Sequence, residues 1–135
     1  MTLNTFTYLA MTGSHKEDLT LRKIDTPVAQ ISTLLMSGAI QKPNLVEIDV
    51  ETHEHEVLEG FSFDLSEVDA FLVEVLNEKV AMKLNEIFGG LDFRFFNIKD
   101  SQNTVRETHS IRASDQYNYF VLKPSIVTEM RPLKI

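Results

Sequence analysis

The pattern of apolar positions predicts two buried strands near the middle of the chain. Residues 45–50 (LVEIDV) and residues 70–76 (AFLVEVL) are rich in β-branched and other apolar side chains, as buried strands are. Helical periodicity follows each run, over residues 53–60 and again over residues 77–90. Because strand and helix alternate, we predict two parallel strands joined by a right-handed helical crossover.

The segment before these strands predicts two extended stretches and a short helix. Residues 5–10 are β-branched and aromatic, and residues 19–24 alternate apolar with polar side chains. Ser32 is of the residue type that caps helix N-termini, and apolar residues follow it. Gly38 is placed to end that helix.

Aromatic-rich strands are predicted in the last third of the chain. Residues 91–98 (LDFRFFNI) and residues 117–122 (YNYFVL) form two of them, and residues 104–109 are predicted to form a short extra strand. We expect the first two to pair antiparallel at the edge of the parallel unit, as in many mixed α/β sheets. The prediction is one α/β domain over all 135 residues, with residues 125–135 as a loosely held tail.

The composition of the chain narrows its possible partners. With 13 basic and 20 acidic residues the net charge is −7, which argues against nucleic acid or an anionic membrane as partner. There is no cysteine, so disulfides, thiolate nucleophiles and cysteine-based zinc sites are excluded. No apolar stretch approaches the roughly 20 residues that span a bilayer, and the start lacks a signal-peptide pattern. We therefore expect a cytoplasmic protein.

Three carboxylates at the ends of the two central strands are the leading candidates for chemistry. Asp49 and Glu51 end the first strand, and their side chains point the same way if the strand persists through residue 51. Glu74 ends the second strand and lies beside them if the strands are adjacent. One carboxylate could then accept a proton or bind a hydroxyl while another orients it. Solvated acids or helix caps remain the structural alternative.

The His-Glu-His-Glu run at residues 53–56 suggests a metal site, but its spacing argues against one. Two helical residues two apart point to nearly opposite sides, so His53 and His55 do not share an ion readily. We therefore predict no metal site. His53 is nearest the strand tip and is the better candidate for substrate contact, whereas Glu54 and Glu56 are expected to be solvated acids at a helix start.

The same stretch resembles a known family. From Ile48 the sequence reads IDVETHEHEVLEG, followed by a strand FLVEV and later by YNYFVLKP. These motifs are similar to those of FkbM-type methyltransferases, in which a strand ending in an Asp-Val-Glu-Gly-like stretch leads to a Glu-Val-Leu-x-Gly helix. The resemblance covers about residues 26–124.

The resemblance implies a fold and a reaction. The fold would be the C-terminal half of a class I methyltransferase sheet, which is Rossmann-like. The reaction would be transfer of a methyl group from S-adenosylmethionine to a hydroxyl of a sugar or metabolite. Asp49, Glu51, His53 and Glu74 would act on the acceptor side as catalytic residues. Thr52 departs from the family, which generally has glycine there and so allows a closer backbone approach.

The resemblance also implies that the cofactor-binding residues lie outside this sequence. In the family a glycine-rich turn after the first strand and an acidic residue after the second bind S-adenosylmethionine, and both would precede residue 1. We therefore expect a truncated member that is inactive alone, with its cofactor-binding residues unknown. The alternative is a non-catalytic remnant that acts as an oligomerisation or interaction module. A metal-dependent hydrolase built on residues 53–56 ranks last.

A missing inner strand would leave the edge of residues 45–50 exposed, and exposed apolar edges promote association. We therefore expect a homo-oligomer, a dimer in the simplest case, that covers this edge. The other expected partner is a small-molecule hydroxyl acceptor, with neither nucleic acid nor membrane as a partner.

Overall fold

The computed structural model describes residues 4–12, 20–61, 65–99, 104–113 and 118–130 of the chain. Their elements, in chain order, are β1 (Asn4–Thr12), β2 (Thr20–Val28), α1 (Ile31–Met36), β3 (Leu45–Ile48), α2 (Glu54–Glu59), a 3-10 turn (Leu65–Glu67), β4 (Ala70–Glu74), α3 (Glu78–Phe88), β5 (Arg94–Lys99), β6 (Thr104–Thr108), β7 (Asn118–Leu122) and α4 (Pro124–Met130).

Five of the strands form one mixed, open sheet in the order β3-β4-β7-β5-β6. Strands β3 and β4 are parallel, and Ile48 pairs with Val73. The other neighbours are antiparallel, with β7 between β4 and β5. This arrangement confirms the predicted α/β fold: a parallel strand–helix–strand unit flanked by antiparallel strands.

Strands β1 and β2 form a separate two-stranded antiparallel sheet. Asn4 pairs with Val28 at one end of this sheet, and Thr12 pairs with Thr20 at the other. Both predicted extended stretches are therefore strands, each several residues longer than the sequence pattern indicated. Because alternation and β-branching weaken at strand ends, pattern alone places boundaries poorly there.

The hydrophobic core lies between the five-stranded sheet and helices α2 and α3. Phe71 of β4 is fully buried, and its ring contacts the rings of Phe61, Phe88 and Phe93 at centroid distances of 6.1, 5.4 and 5.7 Å. Edge-to-face contacts of this kind add about 0.5–1.5 kcal/mol each beyond simple burial. Phe93 and Phe95, from the aromatic-rich segment at residues 91–98, pack against this core.

Helix α3 forms where the sequence predicted it because its signals are local. The Asn77 side chain accepts a hydrogen bond from the Val80 N–H at 3.0 Å, and Gly89 follows the last residue of the helix. Val80, Leu84 and Phe88 recur on one face and are buried.

Helix α1 differs from its prediction at its start. The helix begins at Ile31 with Gln30 at the N-cap position, so Ser32 lies inside the helix and is not its cap. The Ser32 N–H instead donates to the Gly60 carbonyl at 3.1 Å, which links α1 to the end of α2. Gly38 has a φ of 70° after the helix, as its role in ending the helix requires.

The end of the chain corrects the prediction of a loose tail from residue 125. Residues 124–130 form helix α4, and Val127 is 7% exposed. Pro124 at its first position suits a helix start, because proline lacks an N–H that the first turn would leave unpaired. The rest of the predicted tail lies outside the described residues. Among the helices that the structure describes, none is long and apolar enough to cross a membrane.

Candidate functional site

Three acidic side chains meet at the carboxyl ends of the parallel strands. Carboxylate oxygens of Asp49, Glu51 and Glu74 all lie within 4.8 Å of one another. Asp49 directly follows buried Ile48, which pairs with buried Val73, so the sheet register places Asp49 beside Glu74. Ligand sites of open α/β sheets occur at this edge. The prediction that these three acids lie together is confirmed.

The sequence predicted that alternation along a strand would orient Asp49 and Glu51 the same way, but the structure brings them together by a turn. Strand β3 ends at Ile48, so alternation along a strand does not orient Glu51. Glu51 and Thr52 have φ values of 52° and 80°, in the left-handed region that side chains other than glycine rarely adopt. This turn, rather than strand alternation, places the Glu51 carboxylate close to that of Asp49.

Glu54 supports this turn from inside the protein. Its side chain is 0% exposed, and its Oε1 atom accepts hydrogen bonds from the N–H groups of Val50 at 3.3 Å and Thr52 at 3.1 Å. Its Oε2 atom is buried and has no hydrogen-bond partner among the described residues. The expectation of a solvated acid at position 54 is wrong. The sequence gives no signal for this burial, because neither Glu51 nor Thr52 is a glycine that would indicate the left-handed turn.

Burial and the neighbouring acids make Glu74 harder to ionise. Burial raises the pKa of the Glu74 carboxyl above its ordinary value, and a hydrogen bond shared with Asp49 and the charges of Asp49, Glu51 and Glu54 raise this pKa further. Among the ion pairs between described residues, none involves these four acids. The described part of the cluster is therefore strongly negative and has no basic side chain paired to it.

His53 lies at the N-cap position of α2 but is not one of the clustered side chains. Its Nδ1 atom contacts Glu56 Oε2, and its side chain is 65% exposed. His55 lies nearby, with its Nδ1 atom buried and without a hydrogen-bond partner in the described structure. The structure thus brings together three of the four predicted site residues and leaves the fourth on the adjoining surface.

A separate depression of about 290 Å³ lies at the other ends of the strands, away from the acidic cluster. It adjoins the residues that precede β5 and follow β7. The lining residues are Ser66, Leu91, Asp92, Phe93, Lys123, Pro124 and Ser125. None of the predicted site residues belongs to it.

Comparisons with known proteins point to one family. The Methyltransferase FkbM domain family matches residues 5–95. The chain is 37% identical over 71 residues to the hexuronic acid methyltransferase AglP of Haloferax volcanii, a match that covers 50% of this chain. The chain spans only 28% of that relative's length. No solved structure matches the chain.

Proposed function

Because the chain belongs to the FkbM methyltransferase domain family, we propose that it takes part in the S-adenosylmethionine-dependent methylation of a hydroxyl group. A sugar is the proposed acceptor, since the similar archaeal protein is named for a hexuronic acid. The meeting of three carboxylates at the carboxyl ends of β3 and β4 carries this proposal. The proposed role of this chain is to hold the acceptor there.

The carboxylates suit the acceptor side of the reaction. A hydroxyl placed at the cluster would donate a hydrogen bond to Asp49, which is exposed and accessible. Glu74, whose pKa is raised by burial and by its acidic neighbours, would hydrogen-bond Asp49 and orient it. The pair would then accept the hydroxyl proton as the oxygen becomes nucleophilic, a general-base role worth about 10²–10⁴-fold in rate. An acidic acceptor would present a hydroxyl to this cluster, because its own carboxylate would be repelled.

The described residues do not fit S-adenosylmethionine itself. The turns that follow β3 and β4 contain no glycine, and the first of them holds Thr52 where a close backbone approach would need glycine. Glu54 occupies N–H groups of the first turn, and Asn77 caps the helix after the second. We therefore assign donor binding to no described residue and derive no step through the donor.

We further propose that the five-stranded sheet is the C-terminal half of a Rossmann-like methyltransferase sheet. The parallel pair β3 and β4, with an acidic site at its carboxyl end, supports this correspondence. The antiparallel strands β7 and β5 extend the sheet on the other side. The cytoplasmic location expected from the sequence stays a prediction.

Calorimetry with sugar acids and neutral sugars tests the acceptor proposal. We expect saturable binding of at least one sugar, weakened about tenfold, or about 1.4 kcal/mol, in Asp49→Asn and Glu74→Gln. Glu47→Gln is the matched control, because Glu47 is an exposed acid on the same strand and is not one of the clustered side chains. If all three variants bind every sugar as the wild type does, the acceptor is not held by this cluster.

Calorimetry with S-adenosylmethionine tests the donor assignment separately. We expect no detectable binding to the folded chain of residues 1–135. Binding of S-adenosylmethionine by this chain would contradict the assignment of the donor to other residues, while leaving the acceptor proposal intact.

A second candidate function is a non-catalytic interaction module. The observation that favours it is the edge position of β3, where Leu45 is 59% exposed. Exposed strand edges pair readily with other chains. This function predicts self-association without sugar binding, so the calorimetry with sugars separates the two.

A further inference from the structure

We propose that Asp49, Glu51 and Glu74 bind a hard divalent cation, with the buried Glu54 carboxylate adding negative charge beside them. Oxygen ligands lie about 2.3–2.6 Å from Ca²⁺ and about 2.0–2.1 Å from Mg²⁺, so two ligands of one ion are at most about 5 Å and about 4 Å apart. The three carboxylates offer oxygens within 4.8 Å of one another, which is near the limit for Ca²⁺, and the exposed side chains of Asp49 and Glu51 would move closer around a smaller ion.

The buried carboxylate of Glu54 is a further reason to place a cation at this turn. Its carboxylate is 0% exposed, and the N–H groups of Val50 and Thr52 hold it against the same turn that carries two of the proposed ligands. Its Oε2 atom has no hydrogen-bond partner among the described residues, and its charge is one of those that act on Glu74. It therefore adjoins the cluster. A buried carboxylate oxygen without a partner is costly unless a positive charge is near.

A cation supplies the charge that the described side chains do not. No Lys, Arg or His within the described ranges forms an ion pair with any of the four acids. The three clustered carboxylates repel one another, and a divalent ion converts that repulsion into attraction. This proposal departs from the sequence-based prediction of no metal site, which was argued from the spacing of residues 53–56.

The donor set selects the class of ion. All three ligands offer oxygen, which suits Mg²⁺, Mn²⁺ or Ca²⁺ rather than Zn²⁺ or Cu²⁺. His53, the nearest imidazole in sequence, contacts Glu56 and is not one of the clustered side chains. The inference goes beyond methyl transfer, since it concerns an ion bound by this chain in the absence of donor and acceptor.

Electron paramagnetic resonance of Mn²⁺ tests the inference on the purified, chelator-treated chain. Free Mn²⁺ gives a sharp signal that is lost on binding, so titration counts sites. We expect one saturable site per chain, displaced by excess Mg²⁺, and at least tenfold weaker binding in Asp49→Asn, Glu51→Gln and Glu74→Gln. Glu47→Gln is expected to bind Mn²⁺ as the wild type does, because it removes one nearby negative charge but no ligand.

Circular dichroism establishes folding for each protein in the series. Asp49 and Glu51 are exposed, so their variants report on the site even if Glu74→Gln does not fold. A folded wild type without saturable Mn²⁺ binding would overturn the inference. So would weakening of equal size in Glu47→Gln and the ligand variants, since that result would show diffuse attraction by negative charge. Neither outcome would affect the proposal of sugar binding, which the sugar titration tests separately.

Discussion

At the scale of single residues, the turn after β3 is strained. Thr52 is β-branched and has a φ of 80°, directly after Glu51 at 52°. Left-handed backbone costs an ordinary residue roughly 1–2 kcal/mol. The hydrogen bonds that Glu54 accepts from Val50 and Thr52 hold the turn in place. These hydrogen bonds let the strain persist, and the turn they hold places the Glu51 carboxylate within 4.8 Å of that of Asp49.

Thr52→Gly is expected to stabilise the protein. Glycine adopts positive φ without steric cost, and the relief exceeds the added entropy of the unfolded chain by about 0.5–1 kcal/mol. Chemical denaturation measures the free energy of unfolding. Thr33→Gly, inside α1, is the matched control and should lose about 0.5–1 kcal/mol, because its backbone is helical. Equal losses in both variants would show that Thr52 is not strained.

The sequence predicted the three clustered acids but not the residue that supports them. Asp49 and Glu74 follow apolar runs, so strand ends and adjacency placed them together. Glu54 was missed because an acid in a first helical turn is usually solvated. Its burial depends on the left-handed turn at residues 51–52, and a non-glycine residue gives no sequence signal for that conformation.

At the scale of secondary structure elements, local capping decides how well a helix is predicted. Helix α3 has an asparagine cap, an apolar face and terminal glycines, all visible in the sequence. Helix α1 lacks a side-chain cap, and its start was placed wrongly at Ser32. Helix α4 was missed because it is short and its burial, chiefly of Val127, depends on packing against the rest of the chain.

Asn77→Ala is expected to lower the free energy of unfolding by about 1 kcal/mol. It removes the side-chain oxygen that accepts from the Val80 N–H and leaves that donor unpaired. Asn77→Asp keeps an oxygen acceptor and serves as the control, with a change under about 0.5 kcal/mol. Thermal or urea unfolding measures both. An alanine variant as stable as the aspartate variant would show that the cap contributes nothing.

Asp69 links the start of β4 to the start of β3 and the end of β7, at the ends of these strands that lie away from the acidic cluster. Its side chain accepts hydrogen bonds from Asn44 Nδ2 at 2.9 Å, before β3, and from Lys123 Nζ at 3.2 Å, after β7. The hydrogen bond from Asn44, followed by that from Lys123, holds the pKa of Asp69 below its ordinary value. The folded state therefore favours the ionised carboxylate.

This lowered pKa predicts how stability depends on pH. The stabilisation is complete above the unfolded pKa of about 3.9 and is lost as the pH falls through the lower folded value. Asp69→Asn should therefore be less stable than the wild type at neutral pH, and the difference should narrow below about pH 4. Unfolding of both proteins at several pH values checks this. Asp92→Asn is the control, because Asp92 is exposed. A difference in free energy of unfolding between the wild type and Asp69→Asn that does not change with pH would contradict the prediction.

At the scale of the whole molecule, strand order was the least predictable feature. The sequence predicted antiparallel pairing of residues 91–98 with 117–122, and β5 and β7 do pair in this way. It did not predict that β7 inserts between β4 and β5. Such pairings join segments far apart in the chain, and they depend on core packing rather than on local pattern.

The edge strand β3 predicts self-association. Leu45 is 59% exposed there, and light scattering should find a dimer that Leu45→Lys converts to monomer. Val105→Lys is the control, since Val105 is 51% exposed on β6, at the opposite edge of the sheet. A wild-type monomer, or loss of the dimer in the control alone, would show that β3 is not the interface.

We propose that the acidic cluster at the ends of β3 and β4 is the functional site. Nuclear magnetic resonance of the ¹⁵N-labelled chain during titration with a sugar acid tests this proposal. We expect the amide signals of residues 49–54 and 74–77 to shift, and Asp49→Asn to reduce these shifts. Shifts confined to Ser66, Leu91 and Lys123, around the depression at the other ends of the strands, would show that the sugar binds elsewhere.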